Sequence, residues 1–589
     1  MCGIVGYIGN QNATPILFNG LKRLEYRGYD SAGIATIDSN KIRIKKAEGR
    51  LCNLIQIASS ECGNIGIGHT RWATHGCPDA KNAHPHLSQS GTFAIVHNGI
   101  IENYAELKSF LSIRGFTFVS DTDSEVIAHL LDYYYDGDAI EAILATASRL
   151  VGSYALGIIC RDDHRLFAIK KDSPLVVGLS KSEAYIASDM QALTDKTRDF
   201  YILNSGEIAI ISLVGGLPKI KVMNTRGKSI QKDIYRAEAE GETADKGNYP
   251  HFMLKEIYEQ PTAIERTLKA QLNAPLPFLS NIGGMHIIGC GSAYHAALMG
   301  KYVIEALTGM RVNADIASEF RYRNPRLQSN DLLLAISQSG ETADTIGACL
   351  VAQDKCKTAC IVNVPESSLT HIASPMYTYA GSEVAVATTK GFTTQLLNLY
   401  VIALRLLQKR GDVRAKLLQD ELTALPFAIS KTLELEGQIK DLSAIVAPHE
   451  TAYFIGRGAD YASAKESALK LKEISYIHAD CYPAGELKHG TISLIEKGSV
   501  VVAIATDKAL LDKTVSNIIE VKARGAFVIG ISCFDISHVC DRLICIPQAQ
   551  YTSPILASVA AQLLSYHTAL TRGCDIDKPR NLAKSVTVE

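Results

Sequence analysis

The sequence has 589 residues, 47% hydrophobic and 21% charged, with a formal net charge of -1 and a mean hydropathy of +0.06. Such a chain has room for about three or four domains with large cores, and its charge balance favours neither a nucleic-acid surface nor an acidic tail. The longest apolar stretch, Gln395 to Gln408, is broken by Asn398 and Arg405 and is too short to span a bilayer. With no charged-then-apolar leader, and with 14 cysteines in no paired spacing, a cytoplasmic protein with reduced thiols is expected.

The chain opens Met-Cys-Gly-Ile-Val-Gly. Removal of Met1 would leave Cys2 carrying both a thiol and an α-amine. A free α-amine titrates near pH ~7.7–8.0, so part of it is neutral in a cell and can take the thiol's proton. One residue then supplies a nucleophile and its base. By position alone a small buried cysteine is the commoner outcome. Ile4 to Ile8 reads as a strand, and Gly20 to Gly33 as an amphipathic helix ending in a glycine-punctuated turn.

Two dense polar stretches follow, Gly68 to Gly76 and Asn82 to His86, and then an apolar strand from Phe93 that runs into an Asn98-Gly99 turn. Taken alone, Asn-Gly is an ordinary hairpin signal. The histidines at 69, 75, 84 and 86 match no standard metal-ligand spacing. Asp121 to Glu125 opens a helix over Val126 to Tyr135, and capping accounts for most of that cluster.

The strings MCGIVG, LEYRGYDSAG, HTRWATHG, NAHPH, HNGIIEN and TDSEVIAH, in that order, resemble the class II glutamine amidotransferase family of N-terminal-nucleophile hydrolases. The resemblance implies a four-layer αββα fold in which Cys2 attacks the side-chain amide of glutamine. It implies an oxyanion hole from the Asn98 side chain and the Gly99 N–H. Arg71 would bind the glutamine α-carboxylate and Asp123 its α-amino group, with Thr74 and His75 lining the pocket. Arg27 would order the Cys2 loop, and Trp72 would gate an ammonia channel.

Tyr235 to Asn248 is charged and lacks apolar periodicity, which marks a boundary. His251 to Leu272 reads as helix interrupted at Pro261. Beyond it the chain repeats: Ile288-Gly289-Cys290-Gly291 with Tyr294 aligns with Ile455-Gly456-Arg457-Gly458 and Tyr461 at a shift of 167. Short β-branched runs alternate with helical stretches in both copies, as in a doubly wound α/β sandwich. Neither copy completes Gly-x-Gly-x-x-Gly, so no nicotinamide or flavin is expected.

The copies have diverged. The first carries Ser337-Gln338-Ser339-Gly340-Glu341-Thr342 before a helix, whose hydroxyls and backbone amides suit a phosphate monoester. A Ser-rich turn with an N-cap would look the same. The second has Ala505-Thr506-Asp507-Lys508 there, with an acid that would repel phosphate. It instead gathers Glu466, Lys470 and Glu473 at helical spacings on one face, followed by His478, Glu486 and His489.

ASEFRYR, SQSGETADT, TTKGFTTQ, ALKLKEISYIHAD, GELKHG and KPRNLAKSVTVE resemble paired sugar isomerase (SIS) domains. Together with the amino-terminal motifs they resemble the isomerising glutamine–fructose-6-phosphate aminotransferase family along the whole chain. The implied organisation is a glutaminase domain at 1–235, a linker and connecting helix at 236–274, SIS domains at 275–425 and 440–575, and a tail at 576–589. The implied substrates are L-glutamine and D-fructose 6-phosphate, with no metal or other cofactor. Ser292, Ser337, Gln338, Ser339, Thr342 and Thr388 would hold the sugar phosphate. Glu473 would shuttle a proton between C1 and C2, Lys470 would stabilise developing charge, and Lys584 would form a Schiff base. His489 would open the sugar ring from the neighbouring subunit, making a homodimer obligatory.

Two positions depart from the family pattern: Ala293 removes a hydroxyl expected at the phosphate, and Thr388 replaces a serine. Weaker phosphate binding is therefore expected. An amidophosphoribosyltransferase would need an acidic pyrophosphate motif, and a sugar-phosphate-sensing regulator a helix-turn-helix with a basic face. Neither is found.

Overall fold

A computed structural model describes residues 2–25, 28–73, 75–237 and 245–587. It divides into two compact units, Met1–Gly241 with Ser585–Glu589, and Glu242–Lys584. Of the expected boundary at 235–248, residues 238–244 lie outside the described residues, as do Arg27 and Thr74.

In the first unit the strand Gly3–Ile8 is buried along its whole length. Its side chains alternate, Ile4 and Ile8 into one core and Val5 and Tyr7 into another. Among the described residues the strands form two antiparallel sheets. One has eight strands, with Gly3–Ile8 between Ala184–Ala187 and Ile65–Arg71, and Ser31–Asp38 beyond. The other has seven, with Phe93–Ile101 between His86–Leu87 and Gly152–Cys160. Helices Ala13–Leu24 and Leu51–Ala58 cover the first sheet, and Tyr104–Ser112, Glu125–Tyr134 and Ala139–Arg149 the second. Apolar residues of both sheets meet between them. The result is the αββα sandwich.

Three local expectations change. The first helix is Ala13–Leu24, so Gly20 lies inside it. A Cβ at Gly20 would stand 2.9 Å from Val5 Cγ1, so close helix–strand contact outweighs helix propensity there. Gly33 is a strand residue because a Cβ there would lie 2.1 Å from the His84 carbonyl oxygen. Asn98-Gly99 is no turn, since the strand continues to Ile101 with Asn98 opposite Ala155 and Gly99 opposite Tyr154.

In the second unit, helices Phe252–Tyr258 and Gln260–Gln271 are separated at Glu259, with Pro261 in the first turn of the second. Two five-stranded parallel sheets follow. The first orders as Val312–Ile316, Gly284–Gly289, Asp331–Ser337, Lys357–Val362, Ser374–Tyr377. The second orders as His478–Pro483, Thr451–Gly456, Val500–Ile504, Phe527–Ser532, Arg542–Cys545. Helices Ser292–Thr308 and Ala459–Ser475 occupy equivalent places, each entered through a glycine of positive φ, Gly291 at 55° and Gly458 at 57°. Both copies share one apolar core, and each has a second on its outer face. No helix among the described residues is long and apolar enough to cross a membrane.

Candidate functional site

Strand ends deliver the residues of the first site. Cys2 precedes the Gly3–Ile8 strand, Arg71 ends its neighbour, and Asn98 and Gly99 sit near the end of Phe93–Ile101 on the facing sheet. Cys2, Arg71, Trp72, Asn98, Gly99 and Asp123 line one pocket with His84, His97, Thr122, Ser124 and Thr587. The Trp72 N–H donates to Cys2 Sγ at 3.3 Å, and the Asn98 amide donates to the Cys2 carbonyl at 2.9 Å. Burial pushes the Cys2 thiol up, opposed by the Trp72 N–H and the Arg71 guanidinium. A thiol in that position needs a base to become a nucleophile.

Arg71 donates to the carbonyls of His75, Gly76 at 3.4 Å and Cys77 at 3.2 Å, so its fork curls the 75–77 loop around itself. Asp30, absent from the sequence reading, accepts from the Ala73 N–H at 2.8 Å and anchors the other side of Trp72. His75 turns elsewhere and packs edge-on against Tyr104. The acidic cluster at 121–125 does not cap its helix, because Ser124 makes no side-chain cap bond. Asp123 accepts from the Ile101 N–H at 2.8 Å, and Glu125 accepts from the N–H groups of Val119 and Ser120. The His84 ring meets those of His69, His86 and His97, and His84 and His97 line the pocket.

In the second unit Ser337 closes its strand, Oγ 2.9 Å from Thr342 Oγ1, and accepts from the Gly340 N–H. The Ser339 hydroxyl accepts from the Glu341 N–H at 3.2 Å, and the buried Gln338 amide oxygen has no partner among the described residues. These atoms face the start of helix Ala343–Ala352.

At the family's missing hydroxyl the copies differ informatively. Asp460 is the counterpart of Ala293, and its buried carboxylate accepts from the N–H groups of Thr506 at 2.7 Å and Asp507 at 3.2 Å. Those amides correspond to Gln338 and Ser339. Copy two therefore fills its own cradle with a carboxylate, while Ala293 brings no charge to copy one.

Ser292 donates to Glu466 at 2.8 Å, and Glu466 also meets His295 at 2.8 Å and Lys470 at 3.4 Å. Lys470 in turn donates to Glu473 at 2.5 Å. Burial pushes the Glu473 carboxyl up, beyond what Lys470 restores. Burial acts against the Lys470 charge, but Glu466 and Glu473 outweigh it and keep the amine above its ordinary value.

Lys584 donates to Glu383 at 2.6 Å and to the Ala385 carbonyl at 2.8 Å. The same carboxylate accepts from the Thr388 hydroxyl and the N–H groups of Thr389 and Gly391. Burial disfavours the Glu383 charge, yet Lys584 and these donors outweigh it and hold the carboxyl at about 2. Glu383 is a lone acid 201 residues from Lys584, so no spacing signalled it. His489 is exposed on the Leu487–His489 turn, and no side-chain bond joins it to these groups.

A carboxyl held lower in the folded than in the unfolded chain contributes stability above its unfolded value, near pH ~4.3, and loses it as pH falls toward the folded value. The second unit should therefore lose stability between those limits. Glu383→Gln should flatten that acid limb in pH-dependent unfolding, and should cost about 3–5 kcal/mol at neutral pH because buried Lys584 is left unpaired. An unchanged acid limb would contradict the assignment.

Family models agree with this division. A glutamine amidotransferase domain model matches residues 69–195, and a SIS domain model matches 278–405 and again 445–572. The chain is 47% identical to a glutamine–fructose-6-phosphate aminotransferase (isomerizing) of Clostridium tetani, 48% to one of Caldanaerobacter subterraneus and 42% to one of Thermus thermophilus. Each match covers 100% of both chains. The solved C-terminal domain of glucosamine-fructose-6-phosphate aminotransferase from Francisella tularensis is 36% identical, with a TM-score of 0.55, covering 57% of this chain and 100% of that one. With full-length relatives at this identity, the chain belongs to the glutamine–fructose-6-phosphate aminotransferase (isomerizing) family.

Proposed function

We propose that the chain transfers ammonia from L-glutamine to D-fructose 6-phosphate and isomerises the product to D-glucosamine 6-phosphate, releasing L-glutamate. This would be the first step of amino-sugar (UDP-N-acetylglucosamine) synthesis, in a cytoplasmic homodimer. The observation that carries the reading is the meeting of Cys2, Arg71, Asn98, Gly99 and Asp123 in one pocket, within a chain of that family.

Once Met1 is removed, the Cys2 α-amine takes the proton of the buried thiol, and the sulfur attacks the glutamine amide carbon. Asn98 Nδ2 and the Gly99 N–H receive the resulting oxyanion. One such preorganised donor is worth on the order of 10²–10³ in rate. The Arg71 fork exchanges loop carbonyls for the substrate α-carboxylate, and Asp123 receives the α-amino group. Ammonia leaves, and water releases glutamate from the acyl-enzyme.

At the sugar site, Ser292, Ser337, Gln338, Ser339, Thr342 and Thr388 hold the phosphate at a helix start. His489 of a second subunit opens the ring, and Lys584, oriented by Glu383, attacks the C2 carbonyl and forms the imine there as the carbonyl oxygen leaves as water. Ammonia displaces Lys584. Glu473 then moves a proton between C1 and C2, a task suited to a carboxyl whose burial raises its proton affinity. Protonated Lys470 stabilises the charge that develops on the sugar oxygens.

The purified chain should convert glutamine and fructose 6-phosphate into glutamate and glucosamine 6-phosphate. Cys2→Ala should abolish glutamine use and leave sugar-phosphate isomerisation near wild type. Glutamine hydrolysis by that variant would refute the nucleophile assignment.

Trp72 is half-buried beside the thiol, which suits a gate better than a core ring. Trp72→Ala should still hydrolyse glutamine but make much less amino sugar per glutamate released. A product ratio equal to wild type would remove Trp72 from the ammonia path. Joint loss of both activities with loss of stability would mark it as a core residue.

A further inference from the structure

We propose that His69 is the positioning residue of the oxyanion hole: its Nε2–H holds the Asn98 side chain in the one orientation that turns the NH2 group toward Cys2. This deepens the reading of Cys2 as nucleophile and Asn98 as oxyanion donor, and it rests on that reading.

His69 belongs to the Ile65–Arg71 strand of the eight-stranded sheet, where it pairs with Ile4 and Gly33, and it is fully buried. Its ring crosses to the facing sheet. There Nε2 lies 3.0 Å from the His97 carbonyl oxygen and 3.0 Å from Asn98 Oδ1. A carbonyl oxygen only accepts, so Nε2 must carry the ring hydrogen. The Asn98 atom facing that hydrogen must then be its oxygen, which sends the nitrogen the other way. The far side agrees, with Asn98 Nδ2 2.9 Å from the Cys2 carbonyl oxygen. A flipped amide would set an NH2 against an N–H in a dry interior, at the cost of a buried unmade hydrogen bond.

The second ring nitrogen supports the same tautomer. Nδ1 is buried without a partner among the described residues, and the ring stacks on His84 at 4.3 Å. A proton on Nδ1 would bury an unpaired N–H, whereas a bare lone pair there is tolerable. Burial also pushes the ring down to about 3, which favours the neutral imidazole at neutral pH. Gly99, the other half of the hole, is set by its backbone instead. Its φ is 132°, and a Cβ would lie 2.0 Å from the Ser153 carbonyl oxygen. One donor is thus aimed by glycine geometry and the other by an imidazole.

The test compares His69→Leu, His69→Gln, Asn98→Ala and the His69→Leu/Asn98→Ala double variant for glutamine hydrolysis. Leucine removes the donor, while glutamine can place an amide N–H near the Nε2 position. The expected result for His69→Leu is a kcat loss on the order of 10²–10³, the effect of one lost oxyanion donor, with KM for glutamine within about twofold. His69→Gln should recover most of kcat, and the double variant should be no slower than Asn98→Ala, because both changes disable one device. A His69→Leu loss that adds to that of Asn98→Ala, or that raises KM and resists rescue by glutamine, would overturn the inference. Wild-type kcat in Asn98→Ala would instead overturn the oxyanion reading beneath it. Should His69→Leu fail to fold, nitrogen NMR of wild type against His69→Gln decides the tautomer. A hydrogen on Nε2 at neutral pH is expected, and one on Nδ1 would contradict the proposal.

Discussion

A carboxylate sealed from water must be met by donors, and Glu383 is met by four. Its side chain is 1% exposed, and it accepts from Lys584, the Thr388 hydroxyl and the N–H groups of Thr389 and Gly391. Those bonds tie together the loop after Gly381, the start of helix Lys390–Lys409 and the far end of the unit. Beneath the loop, buried Glu256 accepts from the N–H groups of Val384 and Ala385, and burial pushes its carboxyl up to about 8. Two acids of opposite tendency thus hold one loop. The ionised one orients the lysine, while burial and the neighbouring Glu383 charge favour the neutral form of the other, which no cation among the described residues pairs with directly. Removing either set of bonds would leave buried polar atoms unmatched, which a low-dielectric interior penalises heavily.

Duplication explains why one unit holds two sheets of the same topology but only one candidate phosphate cradle. The strand–glycine–helix unit recurs with nearly the same φ at Gly291 and Gly458. What differs is the residue after the turn. Asp460 supplies copy two with an internal carboxylate that satisfies the amides of Thr506 and Asp507. Lys470 and Glu473 lie on its helix Ala459–Ser475. Ser292 of copy one reaches Glu466 on that same helix, so a residue proposed to contact phosphate and those proposed to move protons share one hydrogen-bonded chain.

Much of this was legible in the sequence because it depends on local order. The repeat, the Ser337–Thr342 loop and the Glu466–Lys470–Glu473 face are contiguous patterns, and the structure forms each of them. The pocket residues Cys2, Arg71, Asn98, Gly99 and Asp123 were legible through resemblance. What escaped notice depends on contacts between distant segments. Glu383 matters because of Lys584, and His69 because the facing sheet places the His97 carbonyl and Asn98 against its ring. Asn98-Gly99 misled for a related reason. It carries a local turn signal that strand pairing overrides.

The proposed activity requires nitrogen to pass from glutamine at Cys2 to the sugar at Lys584 within one enzyme. The most direct measurement supplies glutamine labelled with ¹⁵N in its side-chain amide, fructose 6-phosphate and an excess of unlabelled ammonium, and reads the isotope in the amino sugar by mass spectrometry. Glucosamine 6-phosphate carrying undiluted ¹⁵N is the predicted result. Product that carries the unlabelled nitrogen of the buffer, or no amino sugar beside full glutamine hydrolysis, would contradict the account.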